Sequence, residues 1–209
     1  LMALLVLSQT LTAMADKYQI YPIPHSLTMN TGALTISPKV NVVYDSTIDK
    51  TTKARLSSIL EANGIFVNND AIDESLITLR LGTIGSGETV EDFALNTDGI
   101  LKSRIMVSNK FDRHAIKISA NGITILGENT NAVFFALASL EQILEQKQGN
   151  QLGYTIIYDR ADQQNRGLVE GYYGYPYSVE VKKDLMHYMM RYKMNTYMFG
   201  AKSDPYHSQ

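Results

Sequence analysis

The sequence predicts an α/β protein built in two units. Residues 16–160 are predicted to form an α/β sandwich, one sheet with helices packed on one face; residues 161–209 are predicted to form the first βα unit and second strand of a truncated (β/α)8 barrel. In the first unit, short β-branched runs alternate with two segments of helical periodicity. Eight of the 13 Tyr and five of the nine Met then fall in the second unit, which indicates a boundary near residue 160.

The composition excludes several classes of function. Of the 209 residues, 44% are apolar and 19% are charged, and the net charge is -2, which is typical of a globular protein and argues against a nucleic-acid partner. The chain has no Cys, so disulfides, thiolate zinc sites and cysteine nucleophiles are excluded. The four His are far apart in the sequence, so we expect no metal and no other cofactor.

Residues 1–15 have the pattern of a signal-peptide remnant. An apolar run over residues 1–7 leads through a more polar stretch to Ala13-Met14-Ala15, small residues at the spacing that a signal peptidase accepts. The run is too short to span a bilayer, which takes about 20 apolar residues. We therefore expect a secreted or periplasmic protein with no membrane partner; a buried first helix is the alternative.

The first half of the sandwich unit contains three predicted strands and one predicted helix. Prolines in residues 21–24 favour an extended backbone. Residues 33–37, 40–44 and 76–81 are apolar, rich in β-branched side chains and bounded by turn residues, which predicts strands. Residues 52–62 carry apolar side chains at helical spacing and stop at Asn63-Gly64, which predicts a helix laid on the sheet.

The second half of this unit contains a hairpin and a longer helix. Isoleucines alternate with polar residues on both sides of Asn121-Gly122, which predicts a hairpin turn there. Asn129-Thr130 can cap a following helix. One face of that helix is apolar and should pack on the hairpin; it carries Val133, Leu137, Leu140 and Leu144. The glycines at 82, 85 and 87 are interpreted as a surface loop rather than a phosphate site, because no Lys-Ser/Thr pair and no clear helix follow.

The second unit reads as strand, aromatic loop, helix, strand and polar loop. Residues 166–171 are predicted to be a strand, Ser178 can cap the next helix, and residues 195–199 are a second strand. In an α/β barrel the loops after the strands share one face, which holds the active site. Gly171 and Tyr173 would then lie beside Lys202.

That mixture of residues suits a sugar. Sugar ring faces stack on aromatic rings, while hydroxyls need fixed charged or backbone partners within a pocket. We therefore take Gly171, Tyr173 and Lys202 as candidate substrate-binding residues. The alternative is that the tyrosines are barrel packing and that residues 202–204 form a solvated turn. Glu170 is interpreted as a buried, hydrogen-bonded structural carboxylate rather than a catalytic one.

Three segments of the second unit resemble glycoside hydrolase family 84. Residues 166–174 read RGLVEGYYG, residues 194–197 read MNTY and residues 201–207 read AKSDPYH, similar in type and separation to the start of that family's catalytic barrel. The family comprises β-N-acetylglucosaminidases, including the O-GlcNAcase type and bacterial hyaluronoglucosaminidases. The preceding unit resembles the hexosaminidase-like, non-catalytic α/β domain found before the barrel in this family and in family 20 hexosaminidases.

The resemblance implies a substrate-assisted retaining mechanism on a glycan or glycoprotein that contains N-acetylglucosamine. The sugar's acetamido carbonyl attacks its own anomeric carbon, while an Asp pair orients the acetamide and supplies the general acid and base. In the family that pair ends a later barrel strand, so no catalytic residue is assigned in this chain. By matching position, the Gly171 carbonyl would accept from a sugar hydroxyl and Lys202 would bind hydroxyls at the pocket edge.

The sequence departs from the family pattern at two positions, and it leaves other functions open. Tyr177 and Ser203 stand where the family usually has Trp and Asp. A non-catalytic carbohydrate-binding or scaffold module and a family 20 β-hexosaminidase are the alternatives. Because a complete barrel takes about 250 residues, we expect no hydrolysis by this fragment. We also expect the segment after Gln163 to be poorly ordered alone or to borrow contacts from the first unit.

Overall fold

A computed structural model of the chain describes residues 17–85, 89–95, 110–171 and 176–200. In this part of the chain the strands are β1 Ser26–Thr35, β2 Lys39–Tyr44, β3 Phe66–Val67, β4 Thr78–Thr83, β5 Phe111–Ser119, β6 Gly122–Gly127, β7 Gln151–Ala161, β8 Gly167–Glu170 and β9 Thr196–Phe199. The helices are α1 Lys50–Ala62, α2 Val90–Leu95, α3 Thr130–Glu145 and α4 Val179–Arg191.

The first seven strands form one mixed sheet in the order β1-β7-β5-β6-β4-β2-β3. The pairs among β2, β3, β4 and β6 are parallel, whereas β5 pairs antiparallel with both β6 and β7, and β1 pairs antiparallel with β7. Strand β7 lies between β1 and β5 and is buried along most of its length, because its side chains pack into cores on both faces of the sheet. The sheet therefore continues from the predicted hairpin into a long strand that ends where the second unit begins.

The two long helices cover one face of this sheet, as the sequence predicts. The predicted stripe of α3 is fully buried in the main core, together with side chains of α1 and of strands β4 to β6. Each such aliphatic side chain stabilises the fold by about 1.5–3 kcal/mol when it is removed from water. A short helix that the sequence analysis did not include, α2, packs on the opposite face against Ala115, Ile156 and Tyr158.

Local side-chain chemistry sets the ends of these elements. Asp49 accepts a hydrogen bond of 2.7 Å from the Thr52 amide and caps α1, and Asn129 accepts one of 2.9 Å from the Ala132 amide and caps α3. After α1 the chain turns through Gly64 at φ +72°. These caps satisfy amides that a helix N-terminus leaves without a partner.

The structure corrects several predicted boundaries. The first strand begins at Ser26 rather than residue 33, and the third predicted strand runs over Thr78–Thr83. The hairpin is confirmed, but its two-residue loop is Ala120-Asn121. Gly122 is instead the first residue of β6, at φ +110°, where a Cβ would overlap the Thr78 carbonyl.

The proposed glycine loop is also only partly a loop. Gly82 lies within β4, where an added Cβ would overlap the Asp45 carboxylate. Gly85 follows the strand and Gly87 lies outside the described residues. A helix of six residues, α2, does follow this segment, contrary to the expectation that none would. It is too short to serve as an anion site, so the structure offers no phosphate cradle among these described residues.

The second unit is a β8–α4–β9 arrangement in which the two strands are parallel, as the sequence predicts. Backbone bonds from the Asn195 and Thr196 amides to the Arg166 carbonyl start the pair. Gly167 lies so close to Thr196 that an added Cβ would overlap its carbonyl oxygen, which explains the glycine at this position. The second unit contacts the first one. This is one of the two outcomes expected for the segment after Gln163, namely that it borrows contacts from the first unit. No helix among the described residues is both long and apolar enough to cross a bilayer.

Candidate functional site

Of the three predicted substrate-binding residues, one lies in the part of the chain that the structure describes. Gly171 directly follows β8, at the strand's C-terminal end. Tyr173 and Lys202 lie outside the described residues, as do residues 1–16 with the predicted signal remnant. The assignments of all three site residues therefore stay predictions.

Strand pairing brings the ends of β8 and β9 to one edge. The register is parallel and pairs Glu170 with Phe199, so Gly171 and Gly200 leave the sheet side by side. Among the described residues, no atom lies within 4 Å of where a Cβ on Gly171 would be. This edge is where a barrel would carry its active site. The observed pairing thus brings Gly171 and Gly200 together at this edge.

Glu170 is the carboxylate at this edge, and it is 6% exposed. It accepts a hydrogen bond of 2.8 Å from the Tyr177 amide and another from the Tyr197 hydroxyl on β9. The Lys182 ammonium of α4 lies 3.5 Å from the same carboxylate. These contacts agree with the prediction that Glu170 is a structural carboxylate rather than a catalytic one, because groups of the protein itself donate hydrogen bonds to both of its oxygens.

Electrostatics around Glu170 favours its ionised form. Burial opposes ionisation, but the hydrogen bonds from Tyr197 and the Tyr177 amide, together with Lys182, hold the pKa of Glu170 below its usual range. The hydrogen bond from the Tyr197 hydroxyl to Glu170, together with desolvation, raises the pKa of Tyr197 to about 12. At neutral pH the pair is therefore a carboxylate with a neutral phenol. That state makes Glu170 unsuited to act as a proton donor.

Helix α4 is anchored close to this edge. Ser178 caps the helix as predicted, accepting a hydrogen bond of 3.3 Å from the Val181 amide. One turn on, the Lys182 ammonium lies 3.8 Å from the centre of the Phe199 ring. One set of charged and aromatic contacts therefore joins the start of α4 to the ends of β8 and β9.

The opposite ends of β8 and β9 face the first unit. In the turn before β9, Lys193 donates a hydrogen bond of 2.5 Å to Asp159 of β7, and both side chains are buried. Before β8, Arg166 forms an ion pair of 2.7 Å with Asp112. His25 completes the group, donating through its backbone amide to Asp159 and contacting the same carboxylate through Nδ1 at 2.9 Å. These contacts fix the second unit on the sheet.

The junction encloses a cavity of about 310 Å³ that these charged groups line. Burial raises the pKa of Asp159, but Lys193, His25 and His114 outweigh it and hold the carboxyl well below its usual range. His114 donates from Nδ1 to the Asp112 carbonyl at 2.7 Å. Burial and the Lys193 charge lower the pKa of His114 to about 4, so the ring is neutral at pH 7. Among the described residues, no group of three His, Asp or Glu could hold a metal ion.

Sequence reasoning missed this junction. Asp159, His25 and Lys193 are separated by up to 168 residues in the chain, and no motif connects them. Two weak signals existed. Asp159 and Arg160 end a strongly apolar run, where charged residues are rarely buried without partners, and Lys193 follows the C-terminus of a predicted helix.

Comparison with known proteins gives the family. Residues 17–160 match the family model described as glycosyl hydrolase family 20, domain 2. The chain belongs to the glycosyl hydrolase family 20 domain 2 family. Beyond this family 20 domain, residues 166–209 match the model described as beta-N-acetylglucosaminidase. The chain is therefore homologous to hexosaminidase-like glycoside hydrolases in both of its units.

Solved structures similar to this family 20 domain 2 member include two of the family 84 type. The structure of CpGH84D is 36% identical with a TM-score of 0.77, over 92% of this chain and 32% of that chain. The structure of CpGH84B is 26% identical with a TM-score of 0.67, over 91% and 31%. A chitobiase from Flavobacterium johnsoniae is 20% identical with a TM-score of 0.61, over 87% and 27%, and shows the fold alone. The chain thus spans about a third of the length of these structures.

Proposed function

We propose that the chain is the N-terminal part of a secreted glycoside hydrolase of the family 84 type, which removes β-linked N-acetylglucosamine. The observation that carries the proposal is the parallel β8–β9 pair, which brings Gly171 and Gly200 together at one edge of the sheet. This pair lies within the residues that match the beta-N-acetylglucosaminidase model. The identity of 36% to CpGH84D supports the family 84 assignment.

In the proposed reaction the substrate supplies its own nucleophile. The acetamido carbonyl oxygen bonds to the anomeric carbon as the glycosidic bond breaks, and a general acid protonates the leaving oxygen. Water then opens the resulting oxazoline with the help of the same group acting as base, which retains the configuration. The Asp pair expected to do this is assigned to a later barrel strand than those described here.

This chain would contribute to binding rather than to bond breaking. The Gly171 carbonyl would accept a hydrogen bond from a sugar hydroxyl, the Lys202 ammonium would donate to hydroxyls at the pocket edge, and Tyr173 would offer a ring face. No atom of the described residues lies within 4 Å of a Cβ built on Gly171, which is consistent with a substrate approaching its backbone. The substrate class is a glycan or glycoprotein that carries N-acetylglucosamine.

A family 20 β-hexosaminidase is the second candidate function. The match of residues 17–160 to family 20 domain 2 favours it, and the chitobiase shares the fold. The RGLVEGYYG segment at residues 166–174 favours family 84 instead, because this segment resembles the start of the family 84 barrel. A reading frame that continues into an apolar strand ending in Asp-Asp would favour family 84; a stop codon directly after Gln209 would favour a non-catalytic carbohydrate-binding module.

The test is hydrolysis of a chromogenic N-acetyl-β-glucosaminide. We expect no turnover by residues 16–209 alone and turnover by the polypeptide that also contains the complete barrel. A substrate with an N-trifluoroacetyl group should react more slowly, because its carbonyl oxygen is a weaker nucleophile. Absence of turnover by the longer polypeptide, or equal rates with both substrates, would contradict the proposal. For the proposed secretion, mass spectrometry of the mature protein should show an N-terminus after Ala15; retention of residues 1–15 would contradict it.

A further inference from the structure

We propose that Glu170 is a positioning residue, which holds the backbone carbonyl of Gly171 in place for the sugar. This inference rests on the proposed function, since it concerns the same edge of the β8–β9 pair. Its physical basis is the burial of a carboxylate at the end of a short strand whose neighbour Val169 is 67% exposed. A charge buried there requires several partners, and Glu170 has them.

The partners of Glu170 come from three separate elements. The Tyr177 amide lies just before the N-cap of α4, the Tyr197 hydroxyl comes from β9, and the Lys182 ammonium comes from the first turns of α4. A single side chain therefore links the end of β8 to the neighbouring strand and to the following helix. Hydrogen bonds to an ionised group are stronger than neutral ones, so this link is rigid compared with a typical surface contact.

Gly171 is the residue that this link controls. It follows Glu170 directly, it lacks a side chain, and no atom of the described part of the chain lies within 4 Å of where its Cβ would be. The place of its Cα is set through the peptide bond to Glu170, whose backbone is held by the pairing with Phe199 and whose side chain makes the three contacts.

A role of Glu170 in proton transfer is disfavoured by the same contacts. The carboxylate is kept ionised and accepts from donors on both oxygens, whereas a general acid has to carry a proton. The group is also surrounded by protein rather than open to the edge. Its influence on the reaction would pass through the Gly171 backbone.

The structural part of the proposal can be tested in residues 16–209. Glu170→Ala removes all three contacts, Glu170→Gln keeps an acceptor for the Tyr177 amide, and Asp184→Asn changes an exposed carboxylate on the same helix as a control. Loss of a hydrogen bond to a charged group should accelerate hydrogen exchange at the Tyr177 amide about tenfold in Glu170→Ala. Glu170→Gln should show a smaller change and Asp184→Asn none. Unchanged exchange in Glu170→Ala would overturn the proposal.

The functional part is tested in the polypeptide that contains the complete barrel. We expect Glu170→Ala to raise KM about tenfold with a smaller effect on kcat, and Glu170→Gln to recover most of the loss. A loss of kcat of about a thousandfold in both variants would identify a catalytic carboxylate and overturn the proposal. A lower melting temperature with unchanged KM would overturn it too, since that is a merely structural role.

A second variant covers the case in which Glu170→Ala does not fold. Tyr197→Phe removes one hydrogen-bond donor to Glu170 but keeps the carboxylate itself, and it should also raise KM. If the parent polypeptide hydrolyses no N-acetyl-β-glucosaminide, the proposed function fails. Hydrogen exchange at the Tyr177 amide, measured in the variants of residues 16–209, then still decides whether Glu170 fixes this edge.

Discussion

Lys193 and Asp159 form a buried ion pair, 2.5 Å between Nζ and Oδ2, that joins the turn before β9 to strand β7 of the large sheet. The two residues come from different units of the chain, and Lys193 reaches the contact from a left-handed backbone at φ +58°. Around it lie Arg166 paired with Asp112 and the His25 contact to the same Asp159. The second unit is thus attached at the ends of its strands that face away from Gly171.

Removing the cation of this pair should destabilise the chain strongly. Lys193→Met keeps most of the side-chain volume but leaves the Asp159 charge buried with fewer partners. Breaking a buried pair in this way costs about 3–5 kcal/mol, which urea unfolding would measure. The control is Arg191→Met, which breaks the more exposed pair with Glu145 and should cost about 0.5 kcal/mol. Equal effects of the two variants would show that the junction pair contributes no more than a surface contact.

Acidification should destabilise the chain through His114. The pKa of this ring is about 4 in the folded state, below its usual value of 6.5, so the unfolded state binds the proton first. The contribution of His114 to stability is therefore complete above pH 6.5 and falls as the pH drops from 6.5 towards 4. At about 1.4 kcal/mol per pKa unit, the full loss is about 3 kcal/mol.

Other groups at the junction titrate outside that interval. The pKa of Asp159 is lowered, so its contribution is lost only below its unfolded value of 3.8. The pKa of His25 is raised, chiefly by its hydrogen bond to Asp159, so its contribution is complete below pH 6.5 and is lost as the pH rises above that. Urea midpoints measured between about pH 5 and 6.5 should lose most of their slope in His114→Gln. The exposed His187→Gln should retain it, and a slope that persists in both variants would assign the effect to another group.

The close approach of β8 and β9 predicts a contrast between two glycines. Gly167→Ala should separate the strands, because the new Cβ would overlap the Thr196 carbonyl. Gly171→Ala should be tolerated by the fold, because its Cβ would meet no atom of the described part of the chain within 4 Å. Circular dichroism melts would compare the two; if Gly171→Ala were as destabilising as Gly167→Ala, the β8–β9 register would be wrong.

Elements with a strong local pattern could be predicted from sequence. The stripe of α3, the caps Asn129 and Ser178 and the alternating isoleucines of the hairpin all depend on neighbours in the chain. Strand β7 and helix α2 were missed for a physical reason. The residues of β7 are buried on both faces, Ile157 in the main core under the long helices and Ile156 and Tyr158 against α2, so no alternation appears. Helix α2 is a single short helix whose burial depends on Tyr158.

The candidate site, too, could be predicted from the sequence only where it depends on the order of elements along the chain. The neighbourhood of Gly171 and the end of β9 follows from the β–α–β order, which the sequence contains. The partners of Glu170 do not follow from it, since whether Tyr197 and Lys182 reach the carboxylate depends on register and helix orientation. The sequence could indicate a buried carboxylate there, but the linking role required coordinates.

The central claim is that Gly171 and Lys202 lie at one edge, and cross-linking measures it most directly. The chain has no Cys, so Gly171→Cys combined with Lys202→Cys gives a protein with only two thiols. Neighbouring strands lie about 4.8 Å apart, so a short bis-maleimide should join this pair rapidly. The control pair, Gly171→Cys with Asn195→Cys, spans the length of the strand, about 17 Å at about 3.3 Å per residue, and should join slowly. Faster cross-linking in the control pair than between positions 171 and 202 would contradict the shared edge and the sugar pocket proposed there.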